Sequence, residues 1–250
     1  MNLRPYITTL TFAVATSGIA QEVIRIPVSE FDPSQLEENT EDPKWSVLKL
    51  PGRDRTTYTV GKDERGAHIL ASSQNSASGL VYAVDIDPSE YTTIEWSWKV
   101  DGVIEKGDLK KKKGDDYPAR IYLTFEYELS RLSFIDRIKY TLIKTFTSYE
   151  IPLRSLNYVW ANKAPQGTIA PNPYTDWVYM IATQSGNENA GKWQIEMSNL
   201  LEDYRNAFNE EPMNITGVAI MTDTDNTKGT ARGNYGDIIF RKEPVKTTSF

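Results

Sequence analysis

The chain contains no cysteine and a single histidine, His68, in 250 residues. The first absence excludes disulfides, cysteine nucleophiles and thiolate zinc sites, and the second excludes a His-rich metal centre. Any metal must then be a hard cation held by oxygen, calcium foremost. Basic side chains are outnumbered, 28 Lys and Arg against 34 Asp and Glu, for a formal net charge of −6. That balance argues against general nucleic-acid binding, which requires a basic face. No segment approaches the roughly eighteen consecutive apolar residues of a membrane span. Gly-rich phosphate loops and nucleophile elbows are also missing.

What is present begins with a leader-like segment. Arg4 supplies a positive start, Tyr6 to Ile19 form an uncharged and moderately apolar stretch, and Gly18-Ile19-Ala20 reads as a small-x-small cleavage site. This predicts a signal peptide over 1–20, cleavage after Ala20, and a periplasmic or secreted mature chain from Gln21. Residues 21–44, heavy in Glu, Asp and Pro, read as a surface-hugging extension. Residues 45–242 read as a single domain, and 243–250 as a tail.

Strict alternation of apolar and polar residues dominates that domain. Ile94, Trp96, Trp98 and Val100 share one face, with Thr93, Glu95, Ser97 and Lys99 on the other. Ile121, Leu123, Phe125 and Tyr127 alternate in the same way with Arg120, Tyr122, Thr124 and Glu126. Such segments are half-buried antiparallel strands. Trp177 to Ala182 and Ile215 to Met221 are apolar at nearly every position, as in strands covered on both faces. An apolar stripe in Arg131 to Phe146 (Leu132, Ile135, Ile138, Leu142, Ile143, Phe146) marks a helix suited to supply that cover. Leu200 to Phe208 reads as a second helix, capped by Ser198 or Asn199. The expected fold is all-β, a jelly-roll-type antiparallel sandwich with one or two helical insertions.

Two acidic loops carry the candidate chemistry. One is Thr222-Asp223-Thr224-Asp225-Asn226-Thr227, directly after an apolar strand; the other is Gly114-Asp115-Asp116-Tyr117-Pro118-Ala119-Arg120, which opens one. Asp223-x-Asp225 imitates the start of a helix-loop-helix calcium loop, but Lys228 stands where glycine is required and Asn234 where glutamate is. A simpler calcium site from Asp223, Asp225 and Asp237 remains open, as does an Asx-turn that only shapes the loop. A carboxylate beside the Arg120 guanidinium can hold sugar hydroxyls, clamp an anion, or pin a strand as a structural ion pair. Tyr117, Trp160, Tyr174 and Tyr235, near loops or strand ends, are candidates to stack on sugar rings. Asp203 and Arg205, on the second predicted helix, are either site residues or helix furniture. Lys110 to Lys113 is a run of loop charge.

The order of these motifs resembles that of the exported bacterial family known as domain of unknown function 3047. It runs Trp96-x-Trp98, Gly114-Asp115-Asp116 with Ala119-Arg120, Asn157-Tyr158-Val159-Trp160-Ala161, Asp203-Tyr204-Arg205, the 222–227 loop, and Tyr235-Gly236-Asp237-Ile238. The resemblance implies no established activity. It does imply likeness to galactose-binding-like jelly rolls, whose loops bind glycans and which often carry a calcium brace. The expected function is an exported, non-catalytic module for a carbohydrate or cell-envelope glycan. Asp115, Asp116, Tyr117, Arg120, Trp160, Asp203, Arg205, Asp223, Asp225 and Asn226 are its candidate ligand residues. A glycan hydrolase or lyase using paired carboxylates or Tyr117 or Tyr204 is the catalytic alternative. A structural or protein-interaction domain is the third reading.

Overall fold

The computed structural model describes residues 22–36, 44–146 and 152–242. The predicted leader and the 243–250 tail lie outside the described residues. In chain order the strands are β1 (Val23–Ile26), β2 (Ser46–Lys49), β3 (Thr57–Asp63), β4 (Gly66–Gln74), β5 (Ser78–Ile86), β6 (Thr93–Val100) and β7 (Arg120–Phe125). After helix α1 (Phe134–Phe146) come β8 (Ser155–Ala161), β9 (Ile169–Asn172), β10 (Thr175–Ser185) and β11 (Gln194–Asn199). Helix α2 (Leu200–Phe208) precedes β12 (Ile215–Met221) and β13 (Thr230–Arg241).

The strands form two sheets. One runs β11-β6-β13-β4-β3, with β1 added on β13; the other runs β2-β5-β12-β7-β8-β10-β9. From β4 to β7 each strand switches sheet, and the chain later returns with β12 between β5 and β7 and β13 between β4 and β6. That wrapping is a jelly-roll β-sandwich. Pairings are antiparallel except β8 with β10, which is parallel.

Alternation makes the core. β6 buries every second residue, and Ile94, Trp96, Trp98 and Val100 are all fully buried. Ile121, Leu123 and Phe125 meet them from the opposite sheet, together with Leu156, Tyr158 and Trp160. Aromatic pairs bridge the layers: Trp96 with Tyr158 at 4.9 Å between ring centroids, and Trp98 with Trp160 at 5.9 Å. Each such ring removes a large apolar area from water, so truncating one to alanine should cost about 3–5 kcal/mol.

The structure revises three expectations. Residues 22–36, the described part of the predicted 21–44 extension, are not merely laid on the surface: the expected strand near Val23 forms as β1 and extends a sheet, and Ile26, Val28 and Phe31 enter the main core. Short strands β2 and β9 were not legible, having four residues each and little alternation. The cover over the apolar strands is only partly α1. Val159, Met180 and Ala182 pack beneath Leu109 and Tyr117, from the loop before β7. At the other end Leu132, Leu153 and Trp177 cluster with Tyr140 of α1. Ile135 and Ile138, predicted to face the sheet, are instead exposed. Among the described residues no helix lies over Ile215 to Met221; its outer face forms the floor of a groove.

Candidate functional site

The groove crosses the outer face of the seven-stranded sheet and has a volume of about 1120 Å³. Because β7 alternates, the residues opposite its core positions, Arg120, Tyr122 and Thr124, project onto this face. Gly217, Ala219 and Met221 of β12 and Val81 and Ala83 of β5 continue the floor. At one end the two acidic loops close over Arg120, because β7 begins where β12 ends and Met221 pairs with Arg120.

Arg120 is the hub. Its Nη2 donates to Asp223 Oδ2, and its Nη1 lies 3.6 Å from Asp115 Oδ1. The guanidinium carbon sits 5.1 Å from the Tyr117 ring centroid and 5.5 Å from that of Tyr122. Burial disfavours the charge on Arg120, but Asp223, Tyr122, Asp115 and Tyr117 together outweigh it and push the guanidinium further up. Burial in turn pushes the Asp223 carboxyl up, with Arg120 opposing. Asp223 also takes the Tyr117 N–H at 3.3 Å, and Asp115 takes the Asn172 amide at 3.0 Å.

Asp116 has a different task. Its Oδ1 accepts from Asn226 N at 3.2 Å and Nδ2 at 3.1 Å, and its Oδ2 accepts from Thr227 N at 2.6 Å. One carboxylate thus binds the two acidic loops together. Asn226 Oδ1 accepts from the Tyr174 hydroxyl at 2.9 Å, and Asp225 pairs with Arg53 at 2.8 Å. Burial raises the Asp225 carboxyl, and the nearby Asp116 adds to the shift.

Asp116, Asp223 and Asp225 each bring one oxygen to within 4.8 Å of the others. Oxygen donors are what calcium takes. Here, however, guanidinium groups already lie against Asp223 and Asp225, and three N–H groups engage Asp116. A divalent cation would face two arginines at its own ligands, so these residues do not fit a resident calcium. Asp237, predicted as a third ligand, is not with them. It sits in the other sheet, bound to Arg25 and to the Val28 N–H at 2.8 Å.

Of the other predicted residues, Asp115, Asp116, Tyr117, Arg120, Asp223, Asp225 and Asn226 do come together. Trp160 does not; it is fully buried in the core and donates to the Gly186 carbonyl at 3.0 Å. Asp203 accepts from Tyr158 at 2.9 Å and from Ser198, and Arg205 pairs with Glu211, just beyond the end of α2. Both serve the helix, not the groove. Burial raises the hydroxyls of Tyr117 and Tyr204, opposite to what a lyase base requires. Sequence reasoning missed Arg53 and Asn172, which lie far along the chain from both acidic loops and carry no local signal. Tyr122 was legible as an outward position on β7.

The family described as "Protein of unknown function (DUF3047)" matches residues 43–239. The chain belongs to this family. Curated protein sequences give no match. Among solved structures, the family 11 carbohydrate-binding module of the cellulosomal cellulase Lic26A-Cel5E of Clostridium thermocellum is similar at 10% identity and a TM-score of 0.44. That match covers 91% of this chain and 97% of the module. The Spr0440 glycoside hydrolase domain, Endo-D, from Streptococcus pneumoniae R6 is similar at 11% identity and a TM-score of 0.35. It covers 81% of this chain and 22% of that one. An exo-beta-agarase is similar at 12% identity and a TM-score of 0.31, covering 84% and 25%. The DUF3047 chain thus spans about a quarter of the length of those last two proteins. At these scores the likenesses carry no argument about what this family member does.

Proposed function

We propose that this protein is an exported, non-catalytic module that binds a glycan in the groove on its seven-stranded sheet. The observation that carries the reading is the groove itself: an open trough with polar and aromatic groups fixed at one end by a rigid sheet. Tyr122 and Tyr174 offer ring surface there, while Arg120, Asn226 and the carboxylates offer donors and acceptors in close proximity. Sugar hydroxyls need such mixed partners, and strands position them better than loops do. Export is supported by the leader-like segment at 1–20.

Retention of the mature chain on a broad panel of immobilised polysaccharides and envelope glycans tests this. Wild type should bind at least one of them without releasing product. Tyr122→Ala should weaken that binding on the order of tenfold, from lost ring contact, measured at a temperature where the variant remains folded. Failure of wild type on the whole panel would reject the reading, and product release would convert it into an enzyme.

A further inference from the structure

We propose that helix α1 is a docking element that lies flat on an anionic lipid surface, whatever the groove binds. The helix reads FIDRIKYTLIKTF, with Phe134, Ile138 and Leu142 spaced by four and Ile135 one turn before Ile138 or Leu142. Residues so spaced occupy one face of a helix, the face that a globular protein ordinarily turns to its core. Here it is turned away. Phe134, Ile135 and Ile138 are 77%, 65% and 47% exposed. Successive residues of a helix are about 100° apart, so Tyr140 lies on the side opposite Ile138. Tyr140 is the side that meets the sheet, with its ring 6.4 Å from that of Trp177.

The helix is secured in this orientation by its own first turn. Ser133 Oγ accepts from the Asp136 N–H at 3.1 Å and donates to Asp136 Oδ2 at 2.6 Å, a cap that starts the helix without help from the sheet. Arg137 donates to the Leu132 and Ser130 carbonyls at 3.1 and 2.6 Å, and Leu132 is buried. Inner face and lead-in are therefore engaged, while the apolar row faces outward.

Charge identifies what covers that row. Within α1, Arg137, Lys139 and Lys144 stand against Asp136, three cations to one anion and a net of +2, in a chain whose net charge is −6. An apolar face joined to local basic charge is the composition of an interfacial helix: the apolar side chains enter the acyl boundary and Lys or Arg meet anionic headgroups. At 13 residues α1 is about 20 Å long, too short to cross a hydrocarbon core of about 30 Å. It must lie in the plane of the surface. A stable protein partner would cover roughly 800 Å² per side, a broader area than a ridge one helix wide. A lipid surface makes no such demand.

Flotation with vesicles of equimolar phosphatidylglycerol and phosphatidylcholine tests this, using the chain from Gln21 so that the apolar stretch 6–19 cannot be the cause. The chain should float with these vesicles, and on the order of tenfold less with phosphatidylcholine alone or in high salt. Phe134→Ser combined with Ile138→Ser, both at exposed positions, should reduce binding at least on the order of tenfold with thermal melts little changed. Because the chain has no cysteine, Phe134→Cys and Val60→Cys can each carry a single nitrobenzoxadiazole dye. On vesicle binding the dye at 134 should brighten and shift to the blue, while the dye at 60, on β3, should not. Absence of flotation with the anionic vesicles overturns the inference. Flotation untouched by the double substitution, or a dye response in Val60→Cys and none in Phe134→Cys, gives the lipid contact to another surface and also overturns it. A lipid-free dimer that the double substitution dissociates would assign the face to a second copy, with the same consequence.

Discussion

Arg120 donates to Asp223 across 103 positions of sequence, and the two residues are only 3% and 1% exposed. Both charges have lost their water, so the pair as a whole adds little net stability over an apolar pair of equal volume. Removing one partner strands the other. Arg120→Met or Asp223→Asn alone should each cost about 3–5 kcal/mol, and the double substitution much less than their sum. Urea unfolding of the four proteins measures this; additive losses would mean the residues are not coupled.

Asp116 and Asp225 should respond differently to the same change. Asp116→Asn replaces an acceptor by a donor facing the N–H groups of the 223–227 loop. It should cost about 2–3 kcal/mol, near the upper end for an unsatisfied buried group. Asp225 faces Arg53, whose side chain is 44% exposed, so Asp225→Asn should cost less than about 1 kcal/mol. Equal losses in thermal melts would contradict this division of labour.

Calcium should be thermally silent. With guanidinium charge already placed against Asp223 and Asp225, melting temperature should move by less than about 1 °C between millimolar calcium and excess chelator. Stabilisation of several degrees by calcium would mean that the arginines yield their carboxylates to the ion.

Glu196 supplies a pH signature. Its Oε1 accepts from Trp98 at 3.2 Å and from Gln184 at 2.8 Å, while burial raises its carboxyl and these two bonds partly oppose the shift. A raised folded value means that the protonated form is favoured in the fold. Its contribution is therefore fully present below the unfolded carboxylate range and is lost as pH rises through the raised value. Glu196→Gln keeps the acceptor and removes the charge. It should raise melting temperature at pH 7 by roughly 2 °C, with the difference fading toward pH 4. A variant that melts lower at pH 7 would show that the charge is needed.

Much of this was legible from the chain. Period-two alternation around Trp96 and Leu123 specified half-buried strands, because side chains on a strand must point to opposite faces. Local chemistry also marked the two acidic loops. The same local chemistry misled at Trp160, where only the core decides that the ring stacks on Trp98 and not on a ligand. It misled again at Asp237, which resembles the other aspartates in composition but belongs to the opposite sheet.

The sequence by itself determined the periodicity, the absence of thiols and the identity of the residues rich in oxygen donors, since those are properties of neighbours along the chain. Only the tertiary structure decided which of them meet. Arg53, Asn172 and Tyr174 reach the Asp115–Arg120 end through strand pairing and loop packing. Ile135 and Ile138 are exposed because α1 meets the sheet through Tyr140, against Trp177, and not through their face of the helix. Long-range register has no signature in any single segment, so where a side chain ends up depends on surfaces contributed from elsewhere in the chain.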